Sequence, residues 1–124
     1  YIIMAAAPSD YSSSNIEDMK IKKTNSEINL KLSATPDIIK TINKKTDATI
    51  VAFALETHNG EEEALRKMSE KDVDYIILNY ANEEGAGFES NTNRVTIFSK
   101  HGEKIELDKD RKDRIAKKIL DQII

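Results

Sequence analysis

Three lysines close together form the first group of residues that could bind an anion. Lys20, Lys22 and Lys23 lie in the segment Lys-Ile-Lys-Lys, inside the polar stretch Ser9–Asn25. Composition does not separate two interpretations: a solvated charge run, or an arm that closes over phosphates with each lysine acting as a point charge on a flexible stem. The position of the stretch, directly after an apolar segment, favours the arm.

A second pair of lysines is spaced for one face of a helix. Lys67 and Lys71 are four residues apart, so we expect them to project from the same side and to repel each other slightly. They are either part of an anion site or surface residues, and Glu63, four residues before Lys67, is a sufficient structural partner for it. The spacing leaves both interpretations open.

Asp10 is the acidic residue best placed for a ligand, because it follows an apolar segment that predicts a strand. Its carboxylate would hold a magnesium ion or a ribose hydroxyl, or would cap a turn. His58 and His101 have no neighbours at metal-ligand spacing, and Gly85–Gly87 is interpreted as a turn. No nucleophile triad and no pair of catalytic carboxylates follows from the spacing.

The composition indicates one soluble domain. The chain has 124 residues, a net charge of -3 and no cysteine. The charge argues against nucleic acid as a partner, and the absence of thiols is compatible with the cytoplasm. The apolar runs are far shorter than the roughly 20 residues of a membrane span, so no membrane partner is expected. Because an apolar run begins at Tyr1 without a leader, we expect that material is missing upstream.

Strands and helices alternate along the hydrophobic pattern. Continuous apolar runs predict buried strands, the alternation over 27–32 predicts a half-buried or edge strand, and apolar residues at helical spacing predict helices. The predicted strands are 1–7, 27–32, 49–55 and 74–80, with a hairpin over 94–108 turning at Lys100–Glu103, and the predicted helices start near Thr35, Asn59 and Asp110. This order predicts an α/β fold with a mostly parallel sheet and an appended hairpin, with ligands bound beyond the carboxyl ends of the strands.

Local signals predict the helix starts. Thr35 is the expected N-cap of the first helix, with Pro36 in its first turn, and Asn59 with Glu62 forms the expected capping box of the second. The side chains expected to face the core are Ile28, Leu30 and Leu32 of one strand, Ile38, Ile39 and Ile42 of the first helix, and Ile115, Ile119, Leu120 and Ile123 of the last.

Five motifs in order resemble one enzyme family over nearly the whole chain. They are Ala-Ala-Ala-Pro-Ser-Asp-Tyr, Lys-Ile-Lys-Lys, Thr-Pro-Asp-Ile, Phe-Ala-Leu-Glu-Thr and the segment from Asn79 to Asn93. Together they resemble the carboxyl-terminal part of bacterial phosphopantothenoylcysteine synthetase, the ligase of coenzyme A synthesis. The resemblance implies a Rossmann-like three-layer fold that is incomplete at its N-terminus. The chain would be the carboxyl-terminal part, 1–124, of a single synthetase domain.

Residue roles are implied by this resemblance. Lys20 matches the arm lysine that the family uses for catalysis and that also contacts the nucleotide. Asp10 matches an aspartate that binds the nucleotide, and it is the candidate metal ligand. The other positions that resemble nucleotide-binding residues are Met4, Ala5, Ala6, Thr35, Pro36, Asp37, Ile38, Phe53, Lys67 and Lys71.

The implied reaction joins 4'-phosphopantothenate to L-cysteine through an acyl-cytidylate formed with CTP. Mg²⁺ would accompany CTP, a homodimer would form, and no FMN is expected in this segment. The resemblance implies that the upstream half of the domain, with its Gly-rich phosphate loop, is absent from this chain, so we expect the fragment alone to be inactive. The sequence does not separate CTP from ATP.

Two other classes of protein compete with this interpretation. One is a nucleotide-binding or dimerisation module without activity of its own, which fits the expected missing half. The other is a dinucleotide- or flavin-binding redox protein, which is disfavoured because no G-x-G-x-x-G motif occurs.

Overall fold

The computed structural model describes residues 1–23, 27–43, 45–80 and 91–124. Its strands are β1 Ile2–Met4, β2 Tyr11–Ser13, β3 Leu32–Ala34, β4 Ile50–Glu56, β5 Tyr75–Tyr80, β6 Thr92–Ser99 and β7 Lys104–Arg111, and its helices are α1 Ile38–Asn43, α2 Gly60–Lys71 and α3 Lys112–Ile123. β1, β4, β5, β6 and β7 form one sheet in that order, and β2 pairs with β3 in a separate two-stranded ladder.

Four of the five strands in the main sheet run in the same direction. β1 pairs with β4 and β4 with β5 in parallel register, whereas β6 is antiparallel to both β5 and β7. Gly102 supplies a φ of 90° in the turn between β6 and β7, a left-handed conformation that glycine adopts without steric cost. The predicted mostly parallel sheet with an appended hairpin is therefore confirmed.

Helices cover both faces of the sheet and make a three-layer domain. On one face, Ile39 of α1 and Ala64 of α2 pack on alternate side chains of β4 and β5. On the other, Ile115, Ile119 and Ile123 of α3 are buried, and each contributes about 1.5–3 kcal/mol when fully removed from water. No helix in the described ranges is both long enough and apolar enough to cross a membrane.

Some core predictions are wrong because one part of the sheet is left open. α3 starts at Lys112, not Asp110, and packs over β6 and β7, so its Leu120 points outward and is 40% exposed. β1 ends at Met4 because its partner register covers only three residues. Ile3 is 41% exposed, since α3 lies over the hairpin side of the sheet.

The segment between β1 and α1 also differs from the prediction. The predicted loop Ser9–Asn25 contains β2, and the predicted strand 27–32 is replaced by β3, which starts only at Leu32. The side chains expected on its buried face, Ile28, Leu30 and Leu32, are exposed. The alternating pattern thus predicted a strand that ends where β3 begins, and no helix of the described residues covers this ladder. Asn25 and Gly85–Gly87 lie outside the described residues.

Both predicted helix caps are wrong in detail. Asp37, not Thr35, caps α1: its Oδ1 accepts from the Lys40 amide at 3.1 Å, and its carbonyl accepts the first helical bond from Thr41. Asn59 does precede α2, but its backbone is left-handed and its side chain makes no capping hydrogen bond. The expected capping box with Glu62 is therefore absent at this helix start.

Candidate functional site

A cleft of about 550 Å³ lies beyond the carboxyl ends of β1 and β4. Ten of the twelve residues predicted to bind nucleotide line it, although they are spread over 68 positions of the sequence. These ten are Met4, Ala6, Asp10, Thr35, Pro36, Asp37, Ile38, Phe53, Lys67 and Lys71. The geometry groups the residues as the resemblance implies, and their binding role stays a prediction.

The cleft has an apolar side and a charged side. Ile38, Phe53 and Leu55 are large apolar side chains that remain between 38% and 43% exposed at its wall. Lys67 and Lys71 enter from α2 on the same face of the helix, as predicted. A pocket with apolar surface and a few convergent polar groups suits an organic ligand that carries negative charge.

Each lysine of the cleft is paired with a carboxylate from a different element. Lys67 Nζ lies 2.5 Å from Glu56 Oε1 at the end of β4, and Lys71 Nζ lies 2.9 Å from Asp37 Oδ2. Glu63, the predicted partner of Lys67, instead forms an ion pair with Arg66 at 2.7 Å. These pairs hold two positive charges side by side at the cleft without leaving either one unbalanced.

Asp37 is held as a carboxylate by its surroundings. Partial burial alone would raise the pKa of Asp37, but the hydrogen bonds from Lys71 Nζ and the Lys40 amide, with the charges of both lysines, together lower that pKa below its ordinary value. Asp37 therefore both caps α1 and fixes Lys71.

Thr35 connects the segment after β1 to the start of α1 at the cleft. Its Oγ1 donates to the Ser9 carbonyl at 2.5 Å, and its amide donates to the Asp10 carbonyl at 2.9 Å. These bonds continue the β2–β3 ladder, in which Tyr11 faces Ala34. The ladder is thus attached to the start of α1, and Asp10 lies at the edge of the cleft.

Lys20 and Ala5 are the two predicted site residues that do not line the cleft. Lys20, Lys22 and Lys23 are exposed in a segment without regular secondary structure, and they make no ion pair within the described ranges. Ala5 is exposed between two residues that do line the cleft. The lysine arm and the cleft are thus separate features of this structure.

The acidic and histidine residues of the described part do not form a metal cluster. In those ranges, no three His, Cys, Asp or Glu side chains converge. Asp10 contributes a single carboxylate at the cleft edge. His58 lies beside Thr57, with its Nδ1 3.0 Å from the hydroxyl.

Comparison with known proteins assigns the chain. The model of the DNA/pantothenate metabolism flavoprotein C-terminal domain family, DFP, matches residues 1–124. The chain belongs to this family. A DFP relative, the coenzyme A biosynthesis bifunctional protein CoaBC of Bacillus subtilis (strain 168), is 38% identical over 123 residues, which cover 98% of this chain and 30% of the relative.

Solved structures agree with the DFP fold. A crystal structure of the C-terminal domain of CoaBC has a TM-score of 0.71 and 33% identity, covering 95% of this chain and 50% of that one. The structure of a Cab2 mutant H337A complex with phosphopantothenate-cysteine has a TM-score of 0.66 and 19% identity, covering 95% of this chain and 42% of that one. The Rossmann-like α/β fold implied by the resemblance is confirmed. The chain spans at most half the length of each of these three proteins.

Sequence reasoning missed one charged residue beside the cleft. Glu56 pairs with Lys67, and the sequence analysis assigned it no role. Its position directly after the predicted strand 49–55 was the available signal. Its partner was not predictable from spacing, because the two residues are 11 positions apart on different elements.

Proposed function

We propose that this chain forms the nucleotide-binding part of an enzyme that joins 4'-phosphopantothenate to L-cysteine with CTP in coenzyme A biosynthesis. The observation that carries the proposal is the convergence of ten predicted nucleotide-binding residues on one cleft in a DFP-family chain. The CoaBC relative supports the pathway. We expect the complete enzyme to act as a homodimer in the cytoplasm.

The proposed reaction has two steps. A carboxylate oxygen of phosphopantothenate attacks the α-phosphorus of CTP, and pyrophosphate leaves, giving an acyl-cytidylate. The amine of cysteine then attacks the acyl carbon, CMP leaves with the electron pair, and the amine loses a proton as the amide forms. No protein nucleophile takes part, so the enzyme contributes positioning and electrostatic stabilisation.

Lys67 and Lys71 supply the positive charge for this chemistry. Two anions react in the first step, and their repulsion is reduced when cations stand beside the phosphates. Both ammonium groups lie at the cleft, each roughly one third exposed and therefore reachable by a ligand. Ile38, Phe53 and Leu55 provide apolar surface for the nucleoside.

Asp10 is the residue that would hold Mg²⁺. Magnesium in nucleotide sites is bound by one or two carboxylates together with phosphate oxygens, so a single aspartate at the cleft edge fits this requirement. When bound, the ion would supply further neutralisation of the triphosphate charge.

Lys20 acts, in this proposal, from an arm that closes over the cleft. The hydrogen bonds of Thr35 attach the β2–β3 ladder to the cleft edge, and Lys20 lies in the segment that follows β2. Closure would bring a further cation to the phosphates and exclude water from a hydrolysable intermediate.

The test is pyrophosphate release by the complete protein that carries this chain. We expect release with CTP only when phosphopantothenate is present, CMP formation when L-cysteine is added, and less release when ATP replaces CTP. Release without phosphopantothenate would point to a different nucleotide hydrolysis. Tight CTP binding without any release would replace the ligase by a nucleotide-binding module, which the separation of Lys20 from the cleft would then explain.

A further inference from the structure

Glu56 is a well-shielded carboxylate at the edge of the cleft. It is the last residue of β4, and its side chain is only 15% exposed. Alternation along the strand puts it on the same side as Ala52 and Ala54, the side that α2 covers. Its Oε1 accepts a hydrogen bond from Lys67 Nζ at 2.5 Å.

The first turn of α2 lies close to the base of the Glu56 side chain. A Cβ added to Gly60 would lie 3.5 Å from the Glu56 Cβ and 3.3 Å from the Leu78 side chain. Glycine thus lets the helix start approach β4 and β5 closely. The carboxylate itself is only 15% exposed and shorter in reach than Lys67, so it is the less mobile partner of the pair.

The ammonium group of Lys67 has hydrogen-bond donors left for a ligand. Lysine carries three N–H donors. Among the described residues Glu56 accepts from one of them, and the side chain remains 35% exposed at the cleft. A free lysine loses rotamer freedom on binding an anion, whereas one that is already anchored loses less. The anchor therefore favours anion binding through Lys67, although its own charge opposes it.

We propose that Glu56 is a positioning residue that aims Lys67 at the phosphates of a polyphosphate bound in the cleft. This inference rests on the proposed function, since it adds a residue to the same site. In this proposal, Glu56 holds Lys67 in position and does not contact the ligand.

Calorimetric titration of the complete protein with CTP and with tripolyphosphate tests the inference. Glu56→Ala should raise both dissociation constants about three- to tenfold, as expected for a released side chain. Glu56→Gln keeps an acceptor oxygen without the charge, so its dissociation constants should lie within about twofold of wild type. If Glu56 acted only through its charge, Glu56→Gln would bind like Glu56→Ala. In a Lys67→Ala background, Glu56→Ala should have no further effect.

The matched control is Glu61→Ala, which removes a carboxylate paired with Lys104 at 2.7 Å outside the cleft lining. It changes the net charge equally and should leave both constants unchanged. Tighter binding in Glu56→Ala and Glu56→Gln would overturn the inference, because Glu56 would then only compete for Lys67. Equal binding by wild type and Glu56→Ala, or no tripolyphosphate binding by wild type, would overturn it too. Tripolyphosphate binding that depends on Glu56, with no CTP-dependent pyrophosphate release, would instead reject the proposed function alone.

Discussion

Two opposite edges of the same sheet carry lysine–carboxylate pairs in different settings. At the carboxyl ends of the strands, Lys67 and Lys71 are paired beside the cleft of about 550 Å³. At the other edge, Asp74 binds Lys100 and accepts the Ile50 amide at 2.7 Å, beside a hollow of about 310 Å³. Both edges thus carry the same kind of ion pair, but the further groups that the paired residues bond are different.

The difference lies in what else each carboxylate holds. The backbone of Asp74 donates to the Ile50 carbonyl and accepts from the Lys100 amide, so the residue joins the start of β4 to the β6–β7 turn. In the cleft pairs, the backbone groups that Asp37 bonds belong to the helix that it caps, α1, and the ammonium groups of both α2 lysines face the cleft. We infer that the Asp74 edge serves stability and the cleft edge serves binding, which predicts that substitutions at the two edges affect different measurements.

The largest effect is expected when both cleft lysines are removed. Lys67→Ala with Lys71→Ala should weaken CTP binding about 100- to 10,000-fold, since hydrogen bonds to charged groups contribute about 1.5–3 kcal/mol each. The thermal midpoint should fall modestly, because Lys67→Ala leaves the shielded Glu56 carboxylate without its partner, whereas both members of the Lys71 pair are about one third exposed. Calorimetric titration with CTP measures the first quantity and thermal unfolding the second. Lys104 lies outside the cleft lining, so Lys104→Ala is the control. A comparable loss of CTP binding in this variant would show that the effect comes from the net charge of the protein and not from the cleft.

Lys20→Ala should separate turnover from binding. If the arm acts only after the nucleotide is bound, kcat should fall about 100-fold while the dissociation constant of CTP changes by less than about threefold. Steady-state kinetics and calorimetry on the complete protein give the two values. An unchanged kcat would remove the catalytic assignment of Lys20, and Lys22→Ala serves as the neighbouring control.

At the opposite edge, Asp74→Ala should lower stability and spare binding. The side chain is only 20% exposed and holds both Lys100 and the Ile50 amide, so its loss should cost about 2–3 kcal/mol of unfolding free energy. Urea unfolding measures this cost, and the dissociation constant of CTP should stay within about twofold of wild type. A large loss of CTP binding in a folded variant would mean that the two edges are coupled.

The pH dependence of stability provides a smaller test of the same edge. Burial alone would raise the pKa of Asp74, but the hydrogen bonds from Lys100 and the Ile50 amide, with nearby positive charge, lower the pKa below its ordinary value of 3.8. The ionised form thus stabilises the fold above pH 3.8, and this contribution is lost as the pH falls through the lower folded value. The stability difference between wild type and Asp74→Asn should therefore be constant near neutral pH and shrink below 3.8. Urea unfolding over a pH series checks this, and the similar shift of Asp37 cancels because both proteins contain it.

The sequence predicted the local features of both edges better than their pairings. Helical spacing placed Ile115, Ile119 and Ile123 in the core, and it put Lys67 and Lys71 on one helix face. The pairings follow from tertiary packing that spacing does not report. Lys71 reaches a residue 34 positions away only because α1 packs against α2.

Helix caps and exposed strands were harder to predict for a related reason. Thr35 and Asp37 are both good N-cap residues, and the choice depends on where the chain leaves the β2–β3 ladder. The ladder itself was missed because Ser9–Asn25 has no period that predicts β2 and the alternation at Ile28 to Leu32 predicted a half-buried or edge strand that ends where β3 begins, with side chains that are exposed. Periodicity indicates which residues share a face, but not whether another layer covers that face.

The smallest expected effect concerns the connection between the ladder and the cleft. Thr35→Val removes the hydroxyl that donates to the Ser9 carbonyl at 2.5 Å while keeping the branched shape. A hydrogen bond of this kind contributes about 0.5–1.5 kcal/mol, so local opening should become about two- to tenfold more frequent. Hydrogen exchange at the amide of Thr35, which bonds the Asp10 carbonyl, reports that opening directly. Because the bond lies outside the core, exchange in β4 and β5 should not change, and Thr35→Ser should restore wild-type protection. If the ladder carries Lys20 to the nucleotide, kcat should be lower in Thr35→Val than in Thr35→Ser and wild type. Faster exchange in Thr35→Val with unaltered kcat would show that the arm closes without this attachment.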